Sequence, residues 1–438
     1  MPADTQPRAT ARESGRRPAH AVAAALVVAM TVGCSVAPPT TSPSMPPASA
    51  LGSPVTSVRP TPTPDPTTTP PPTPPTPTGW SRVPTQASVS GVQFQRVVWT
   101  GTRFVATASA LGGDGAFLDS ADGLTWNRQE TKSADQMPVA IAAGPRGVVA
   151  IGAMDDQVAT WSSPDGLNWT ARLDAFPLPA RATQYSGQTR FSIDSVVATS
   201  DGWLAVGRED PLCQLDCGVD PVRPLVWTST DGLAWASVPD GAGLGGGGMT
   251  TVARSRDGFV AVGLGRSRAA VWTSPDGTTW SPVADDPMFH SRPGTDPTYW
   301  VEMTGVAADH GVVVAVGMDG PQGGGDDVSV RAWWSTDGRT WSEANGEGFL
   351  SGQVFGLTST PAGFLATGPS GPQSCLGGMW ESADGRDWVC VADDPSFSGF
   401  GPYAAAAAPS VVVAVGLDAG APDSDQGNPG AVWRKLLP

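Results

Sequence analysis

The chain has 438 residues and a formal net charge of −15, and it contains 54 glycines, 44 prolines and 17 tryptophans. Lysine occurs only at Lys132 and Lys435, which argues against long helices rich in lysine and glutamate, and the composition is typical of an all-β protein. The excess of acidic side chains would repel polyanions, so the sequence predicts no nucleic-acid partner.

The first 33 residues have the features of an export signal. Four arginines lie between residues 8 and 17, and residues 21–32 form an apolar stretch that is short for a bilayer span. The stretch ends in Thr31-Val32-Gly33-Cys34, which resembles a bacterial lipobox, the motif whose cysteine is lipidated and becomes the mature N-terminus. The resemblance implies lipidation of Cys34 and a membrane-anchored protein on the extracytoplasmic side. Since Thr31 departs from the usual Leu or Val, ordinary signal-peptide cleavage is the alternative.

Residues 34–78 predict a disordered stalk. Pro, Thr and Ser dominate this segment, and residues 70–75 read PPPTPP. Such a composition favours a semi-extended chain that cannot bury a core. With lipid on Cys34, the stalk would hold the rest of the protein away from the membrane.

A heptapeptide of the form Ser-x-Asp-Gly-x-x-Trp, called the box below, occurs six times. Its copies start 43 to 66 residues apart, which leaves room in each unit for one small antiparallel sheet with loops. Each box lies between two strand-like segments and predicts a hairpin turn. The Asp and Ser side chains accept hydrogen bonds from backbone N–H groups across the turn, and the Gly supplies a positive φ. We therefore expect structural roles for the six box aspartates, Asp122, Asp165, Asp231, Asp276, Asp337 and Asp384.

An apolar strand precedes every box, and its seventh copy, residues 411–416, has no box after it. A Trp stands two residues before the box Ser in five units, and Trp433 continues that series at the C-terminus. The other half of its hairpin is near residue 80, because Trp80-Ser-Arg-Val resembles Trp280-Ser-Pro-Val. Pairing of these two segments would close a circular β-propeller without an open seam. Residues 79–438 are thus predicted to form a seven-bladed, all-β propeller of four-stranded antiparallel blades, the last closed by N- and C-terminal strands.

The repeats resemble the Asp-box, or bacterial neuraminidase, repeat of sialidases and several unrelated propeller families. The usual form, Ser-x-Asp-x-Gly-x-Thr-Trp, is one residue longer than the box here. The likeness to sialidases implies a Tyr nucleophile assisted by Glu, an Asp acid/base and three Arg that hold the substrate carboxylate. The first-blade Arg-Ile-Pro signature is absent, the tyrosines are Tyr185, Tyr299 and Tyr403, and the spacing assembles no arginine triad, although Glu302 is near Tyr299. A sialidase-like or other glycoside-active enzyme is therefore the alternative hypothesis.

Four cysteines follow the lipobox. Cys375 and Cys390 bracket the sixth box, which places them on the paired strands of one hairpin and predicts a disulfide in an exported protein. Cys213 and Cys217 share one loop and are candidates for a second disulfide. With three histidines in the whole chain and no C-x-x-C pair, a zinc site is disfavoured. Acidic loops at Asp326-Asp327 and from Asp418 to Asp425 could hold Ca²⁺, but solvated surface charge is the preferred interpretation, so the sequence predicts no metal site and no cofactor.

The predicted topology puts the loop that enters each inner strand and the loop that leaves each second strand on one face, opposite the boxes. The longest of these loops, in residues 172–190, 208–224, 284–300, 318–329 and 417–429, give blades three, five and seven the largest share of that face.

Five side chains stand near the starts of inner strands and would suit a sugar or a peptide around a central funnel, namely Arg190, Tyr299, Trp300, Glu302 and Tyr403. The alternative is that each of them packs or caps a loop. The leading hypothesis is a monomeric, lipid-anchored binding propeller that recognises a surface protein or glycan without catalysis.

Two other patterns carry less weight. Val-Ala-Asp-Asp-Pro occurs at Val283 and at Val391, and a shared structural loop start is preferred over a catalytic carboxylate pair. His290 could be drawn into a Ser-His-Asp triad, but so few constraints support that drawing that it predicts nothing.

Overall fold

The computed structural model describes residues 79–437, with gaps at 111–114, 131–136, 155–156, 178–188, 212–221, 240–242, 293–298, 322–327, 347–348, 350–351, 369–374, 376–377, 392–400 and 419–429. The predicted signal, Cys34 and the stalk lie outside these residues, as do Cys213, Cys217 and Tyr185. Regular structure in the described ranges consists of β-strands and one 3-10 turn, Pro287–Phe289. Within those ranges no helix is long and apolar enough to cross a bilayer.

The strands form seven sheets, one for each blade. Blade 1 contains β2 (Val92–Trp99), β3 (Phe104–Ala110), β4 (Gly115–Ser120) and β5 (Asn127–Glu130). Blade 2 contains β6 (Met137–Gly144), β7 (Gly147–Met154), β8 (Gln157–Ser163) and β9 (Thr170–Leu173). Blade 3 contains β10 (Thr189–Ala198), β11 (Trp203–Pro211), β12 (Arg223–Ser229) and β13 (Ala236–Ser237). Blade 4 contains β14 (Gly248–Ser255), β15 (Gly258–Leu264), β16 (Ala269–Ser274) and β17 (Ser281–Pro282).

Blade 5 contains β18 (Tyr299–Asp309), β19 (Val312–Pro321), β20 (Ser329–Ser335) and β21 (Trp341–Glu343). Blade 6 contains β23 (Gly356–Thr360), β24 (Gly363–Thr367), β25 (Met379–Ser382) and β26 (Asp387–Cys390), with β22 (Asn345–Gly346) at its edge. Blade 7 contains β27 (Pro402–Ala408), β28 (Val411–Leu417), β29 (Gly430–Leu436) and, from the other end of the propeller, β1 (Trp80–Arg82). The prediction of a seven-bladed all-β propeller is confirmed.

The first strands of the blades surround the central axis. Each one packs beside the first strands of the two neighbouring blades, and the ring closes where β27 meets β2. Because strand direction alternates within a blade, the first-to-second turns and the box turns share one face, named the box face. The starts of the first strands and the ends of the second strands lie at the opposite end, named the axial face.

The two ends of the propeller meet in blade 7, as predicted. β1 pairs antiparallel with β29, with Trp80 opposite Lys435. Glu381 on β25 of blade 6 accepts a hydrogen bond from Trp80 Nε1 at 3.0 Å and from Lys435 Nζ at 2.8 Å. On the other side, Arg434 Nε donates to the carbonyl oxygen of Asp122 in the first box at 3.1 Å. The closing blade is therefore joined by polar contacts to both of its neighbours.

Blade 6 differs from the predicted four strands, because β22 adds a fifth. The segment pairs in parallel with β26, with Asn345 opposite Asp387. Asn345 Nδ2 also donates to Asp387 Oδ1 at 3.1 Å. An outer strand offers unpaired N–H and C=O groups, and here the connection from blade 5 satisfies some of them.

One of the two predicted disulfides lies within the described residues. Cys375 and Cys390 are bonded, with their Cα atoms 5.4 Å apart. Cys390 ends β26, but β25 begins only at Met379, so the placement of Cys375 on a paired strand is wrong. The bridge instead ties the second-to-third connection of blade 6 to its outer strand.

The box turns share one hydrogen-bond pattern, described here for the fourth copy. Ser274 Oγ accepts from Gly277 N at 2.8 Å, and Asp276 Oδ1 accepts from the backbone N–H groups of Thr278 and Thr279, both at 2.7 Å. Gly277 has a φ of +81°, in the left-handed region that favours glycine. The Asp and Ser thus replace the backbone partners that a tight turn leaves unsatisfied.

Each box also packs against the blade before it. A Cβ added at Gly232 in blade 3 would lie 2.2 Å from Cγ2 of Val149 in blade 2. One added at Gly123 in blade 1 would lie 2.5 Å from Cγ2 of Val413 in blade 7. The box glycine is therefore needed both for the shape of the turn and for close contact between blades.

Deleting residues 429–438 should sharply lower the melting temperature, because it removes β29 and leaves β1 without its partner. Deleting residues 437–438 alone keeps both strands and serves as the control, for which we expect little change. Differential scanning calorimetry would make the comparison. An unchanged melting temperature for the longer deletion would contradict closure by the two ends.

The box carboxylates should make stability depend on acid pH. The backbone N–H of Thr279, followed by that of Thr278, lowers the pKa of Asp276 from 3.8 to about 2 against the opposing effect of desolvation. A lowered pKa means that the folded state favours the ionised carboxylate. Its contribution is complete above about pH 4, the range of an unfolded Asp, and is lost as pH falls from about 4 to about 2.

We expect Asp276→Ala to lower the free energy of unfolding at pH 7 by roughly 1–3 kcal/mol through lost turn hydrogen bonds, and to flatten the pH dependence between about 4 and 2. Urea titrations at several pH values measure both effects. Asp257→Ala, in an exposed turn of the same blade, is the matched control and should change neither. Equal behaviour of the two variants would show that the box carboxylate does not support the turn.

Candidate functional site

β-bulges shape the first strands close to the axial face. In six blades the pairing of the first and second strands skips one residue, and the skipped residues are Gln95, Val139, Asp194, Thr250, Thr304 and Tyr403. The glycine that ends the repeated apolar strand lies opposite this irregularity, and a Cβ added at Gly207 would lie 1.9 Å from the carbonyl oxygen of Ser192. Blade 1 has Ala108 at the equivalent position, so glycine eases this close approach without being required in every blade. A bulge redirects side chains, here at the end of the strand that borders the axis.

Arg96 is the one large side chain among those that directly follow the skipped residues. The Arg96 residue is half-buried, and protein surrounds its guanidinium group. Nη1 of that group donates a hydrogen bond to the carbonyl oxygen of Gln95 at 2.8 Å. Burial lowers the pKa of Arg96, and the negative charge of Asp194 in blade 3 opposes that shift. The other blades leave room for this side chain because their residues at the same position are small, namely Ala140, Ser195, Thr251, Gly305 and Ala404.

The charges continue from Asp194 toward blade 5. Arg208 Nη1 lies 3.8 Å from Asp194 Oδ2 and 3.5 Å from Glu302 Oε1. Asp194 Oδ2 also accepts from Ser192 Oγ at 2.9 Å, and Glu302 Oε1 accepts from Thr250 Oγ1 at 3.1 Å. The Asp194 side chain is only 4% exposed, whereas those of Arg208 and Glu302 are 16% and 17% exposed. Arg96, Asp194, Arg208 and Glu302 form what we name the axial charge row.

The structure places Glu302, Tyr403 and Tyr299, three of the five predicted ligand residues, near the axial face. The first two of them belong to polar or aromatic clusters. Glu302 belongs to the axial charge row. Tyr403 is the skipped residue of β27, its ring centroid lies 5.8 Å from that of Phe355, and burial raises its pKa. Tyr299 begins β18 and is half-buried. All three lie at the axial ends of first strands, where the sequence placed them.

The other two predicted residues are not shown to contact the row. Trp300 is half-buried, packs against the apolar cluster between blades 5 and 6, and donates from Nε1 to the carbonyl oxygen of Pro321 at 2.9 Å. Arg190 is the second residue of β10, so its backbone is at the axial face, but its side chain lies outside the described atoms. A substitution of Trp300 would therefore disturb packing as well as any ligand.

Sequence reasoning missed Arg96, Asp194 and Arg208. A signal for Arg208 was present in the sequence, because Arg208 directly follows Gly207, the glycine that ends the repeated apolar strand and lies opposite the bulge. Blade 1 has Ala108 at this position, so the repeat gave no such signal for Arg96. What the repeat does not reveal is that side chains of blades 1, 3 and 5 meet at the axis. That proximity depends on the closed ring and not on any local pattern.

The axial charge row alternates cations and anions, so it offers both donors and acceptors to a ligand. This chemistry suits a polar ligand such as a sugar or a peptide. In the part of the chain that the structure describes, no three His, Cys, Asp or Glu side chains are grouped so as to hold a metal ion.

Comparisons with known proteins extend the description of the fold. No protein-family model matches the chain, and no curated protein matches it. YCF48 from Cyanidioschyzon merolae is similar in structure, with 12% identity, a TM-score of 0.47 and coverage of 82% of this chain and 98% of that one. An α-L-arabinanase of Penicillium chrysogenum complexed with arabinobiose has 11% identity, a TM-score of 0.41 and coverage of 81% and 96%. Trypanosoma rangeli sialidase has 12% identity, a TM-score of 0.40 and coverage of 82% and 59%. These likenesses concern the fold, and no function follows from them.

Proposed function

We propose that this protein is an Asp-box propeller that is exported, anchored to the membrane through Cys34, and binds a protein or glycan partner at its axial face without catalysing a reaction. The observation that carries the proposal is the axial charge row. Its four side chains come from blades 1, 3 and 5, on strands close to the central axis, where side chains from several blades can reach one ligand.

The row supports binding because the fold has no evident need for it. Taking charges out of water costs free energy, and well-packed apolar side chains of similar volume are often at least as stable. The interfaces between blades are built from apolar clusters, and neighbouring first strands have Ala140 and Ala404 at the position of Arg96. A polar cluster at the centre of an otherwise apolar ring is the kind of arrangement that fixes the orientation of a ligand.

A glycoside-active enzyme is the second candidate, favoured by the proximity of Asp194 and Glu302 to the same Arg208 nitrogen. Two carboxylates are the usual machinery of glycoside hydrolysis, but one of them must carry a proton to act as the acid. A guanidinium between two carboxylates favours the charged form of both. Among the described residues no tyrosine hydroxyl is hydrogen-bonded to a carboxylate, so the Tyr and Glu pair of a sialidase also lacks support.

The topology is compatible with an anchor. β1 begins at the box face, because Trp80 pairs with Lys435 at the box end of β29. A stalk that joins the propeller there would leave the axial face unobstructed. A partner could then approach from the side opposite the attachment point.

Glu302→Gln should weaken partner binding while leaving the melting temperature nearly unchanged, because the amide keeps the size of the side chain and removes its charge. The propeller, residues 79–438, would be screened against glycans and surface proteins, and the affinity of each captured partner would be measured for the variant. Asp276→Ala, on the box face, is the control that should lose stability and retain affinity. The reverse result would place the binding site on the box face.

The same screen against glycans and surface proteins distinguishes the two candidate functions. Hydrolysis of any glycoside that is lost in Glu302→Gln and in Asp194→Asn would favour the enzyme. Capture of a partner without turnover would favour the binding propeller.

Cys34→Ser should release the full-length protein from membrane fractions or leave it unprocessed, because the lipidated thiol is removed. Metabolic labelling with a fatty-acid analogue reports the modification directly. Continued labelling of the variant would refute lipidation at this position, whereas ordinary signal cleavage would leave both proteins unlabelled.

A further inference from the structure

The connection from β17 to β18 crosses the axial face from the outer strand of blade 4 to the first strand of blade 5. Its described part, residues 283–292, contains the 3-10 turn, in which the Asp286 carboxylate accepts a hydrogen bond from Met288 N at 3.0 Å. Phe289 of the turn is buried between the two blades. The connection leads into β18, the strand that carries Glu302 of the axial charge row. Its conformation therefore shapes the part of the axial face that belongs to blade 5.

Arg331 on β20 binds the end of this turn. Its side chain is 2% exposed, Nη2 donates to the carbonyl oxygen of Met288 at 2.9 Å, and Nη1 donates to that of His290 at 2.7 Å. The charge of Arg331 is balanced by Asp319, whose Oδ2 lies 3.4 Å from Nη1, and by Glu343, whose Oε1 accepts from Nε at 3.0 Å. One planar guanidinium thus joins the turn to two carboxylates of blade 5.

The equivalent connections of blades 3 and 4 are held without such an arginine. In each of blades 3, 4 and 5, a tryptophan Nε1 donates to a carbonyl oxygen of the connection. The pairs are Trp227 with Pro177, Trp272 with Leu244, and Trp333 with Met288. Blade 5 therefore has the contact that its neighbours use, and Arg331 adds two more.

The position of Arg331 is occupied by small or apolar residues in the other six blades. Arg331 lies opposite Gly317, the glycine that ends the repeated apolar strand, and four residues before the box Ser. Its counterparts are Ala116, Ala159, Leu225, Ala270, Gly378 and Ala431. The arginine is thus a feature of blade 5 and not of the repeat.

The charges around Arg331 cost free energy that the fold does not need. Asp319 is 3% exposed, and its Oδ1 is buried without a hydrogen-bond partner. Such a carboxylate is costly, and apolar side chains of similar volume are often at least as stable. Blade 2 has Met154 and Ala159 at the positions of Asp319 and Arg331, and it forms the same four-stranded sheet.

We propose that Arg331 is a positioning residue, which fixes the connection in one conformation so that the axial face presents a preformed surface to a partner. A rigid guanidinium that binds two carbonyl oxygens restricts the turn more than one indole contact does. A preformed surface binds more tightly, because no ordering of the connection accompanies binding. The step from a fixed connection to recognition rests on the proposed binding function, whereas the fixing itself does not.

The test measures hydrogen–deuterium exchange, resolved to single residues, in variants of the purified protein. Arg331→Leu combined with Asp319→Met places apolar side chains at both positions and leaves neither charge unpaired. The amides of Phe289 and His290 donate to carbonyl oxygens of the turn itself, which these substitutions keep in place. Both amides should exchange about tenfold faster in the double variant. The melting temperature and exchange in the box turn of blade 5 should change little.

Two further variants separate positioning from general effects of charge. Arg103→Leu combined with Asp119→Met removes an ion pair of blade 1, in which Nη1 and Oδ2 lie 3.0 Å apart. This control should leave exchange in the 3-10 turn unchanged. Arg331→Lys keeps a positive charge beside Asp319 but lacks the planar fork, so exchange in the turn should still rise.

Three results would overturn the positioning role. Unchanged exchange in the turn of the double variant would show that the tryptophan and the buried Phe289 are sufficient. Unfolding of that variant, or faster exchange throughout blade 5, would show that the fold itself needs the charges. Native protection in Arg331→Lys would assign the effect to charge balance and not to the two carbonyl contacts.

Affinity decides whether the fixed connection serves recognition. A partner captured by the native protein should bind the double variant up to about tenfold more weakly, because binding must first restore the fixed conformation. Unchanged affinity together with faster exchange would overturn the role in recognition. If no partner were captured at all, the proposed function would be contradicted, and the exchange result would still decide whether Arg331 fixes the turn.

Discussion

The contact between each box turn and the preceding blade is the interaction on which the rest of the molecule depends. A blade exposes apolar surface on both sides, so it is stable only when neighbours cover both. The box glycine lets Val149 or Val413 of the preceding blade approach closely, and the neighbouring carboxylate keeps the turn in shape. Six boxes make six such junctions.

The seventh junction, between blades 6 and 7, has no box and is built from other groups. Trp80 and Lys435, on the two strands that close the ring, both bind Glu381 of blade 6. Trp80 also belongs to the apolar cluster that covers Leu365, the residue at the position of Val149 in the repeat. The closing strands thus reproduce the function of a box with different residues, which explains why the chain can have six boxes and seven blades.

The two faces of the propeller follow different rules. On the box face the same residues recur in each blade because the same turn must form. On the axial face equivalent positions diverge, with Arg96 where other blades have small residues and Arg331 where blade 4 has Ala270. Where one blade replaces a small repeat residue by a buried charged one, the replacement costs free energy and the fold does not require it. Such replacements are expected at functional positions.

The sequence predicted the features of the fold that depend on local turn chemistry and on the number of repeats. The seven copies of the apolar strand gave the number of blades, and the likeness of the segments around Trp80 and Trp433 to a repeat hairpin gave the closure. The axial charge row could not be predicted, because Asp194 and Glu302 are 108 positions apart in the sequence and meet Arg208 only in the closed ring. The fifth strand of blade 6 and the position of Cys375 were missed for a related reason, since both depend on how a connection runs across an outer edge.

Hydrogen–deuterium exchange of the propeller with and without a captured partner tests the central claim most directly, because it reports on both faces in one experiment. If the axial face binds the partner, backbone amides around residues 192–195, 249–251 and 302–304 should exchange more slowly in the complex, and the box turns should be unaffected. Slower exchange confined to the box turns, with no change at those axial positions, would contradict the assignment of structure to one face and recognition to the other.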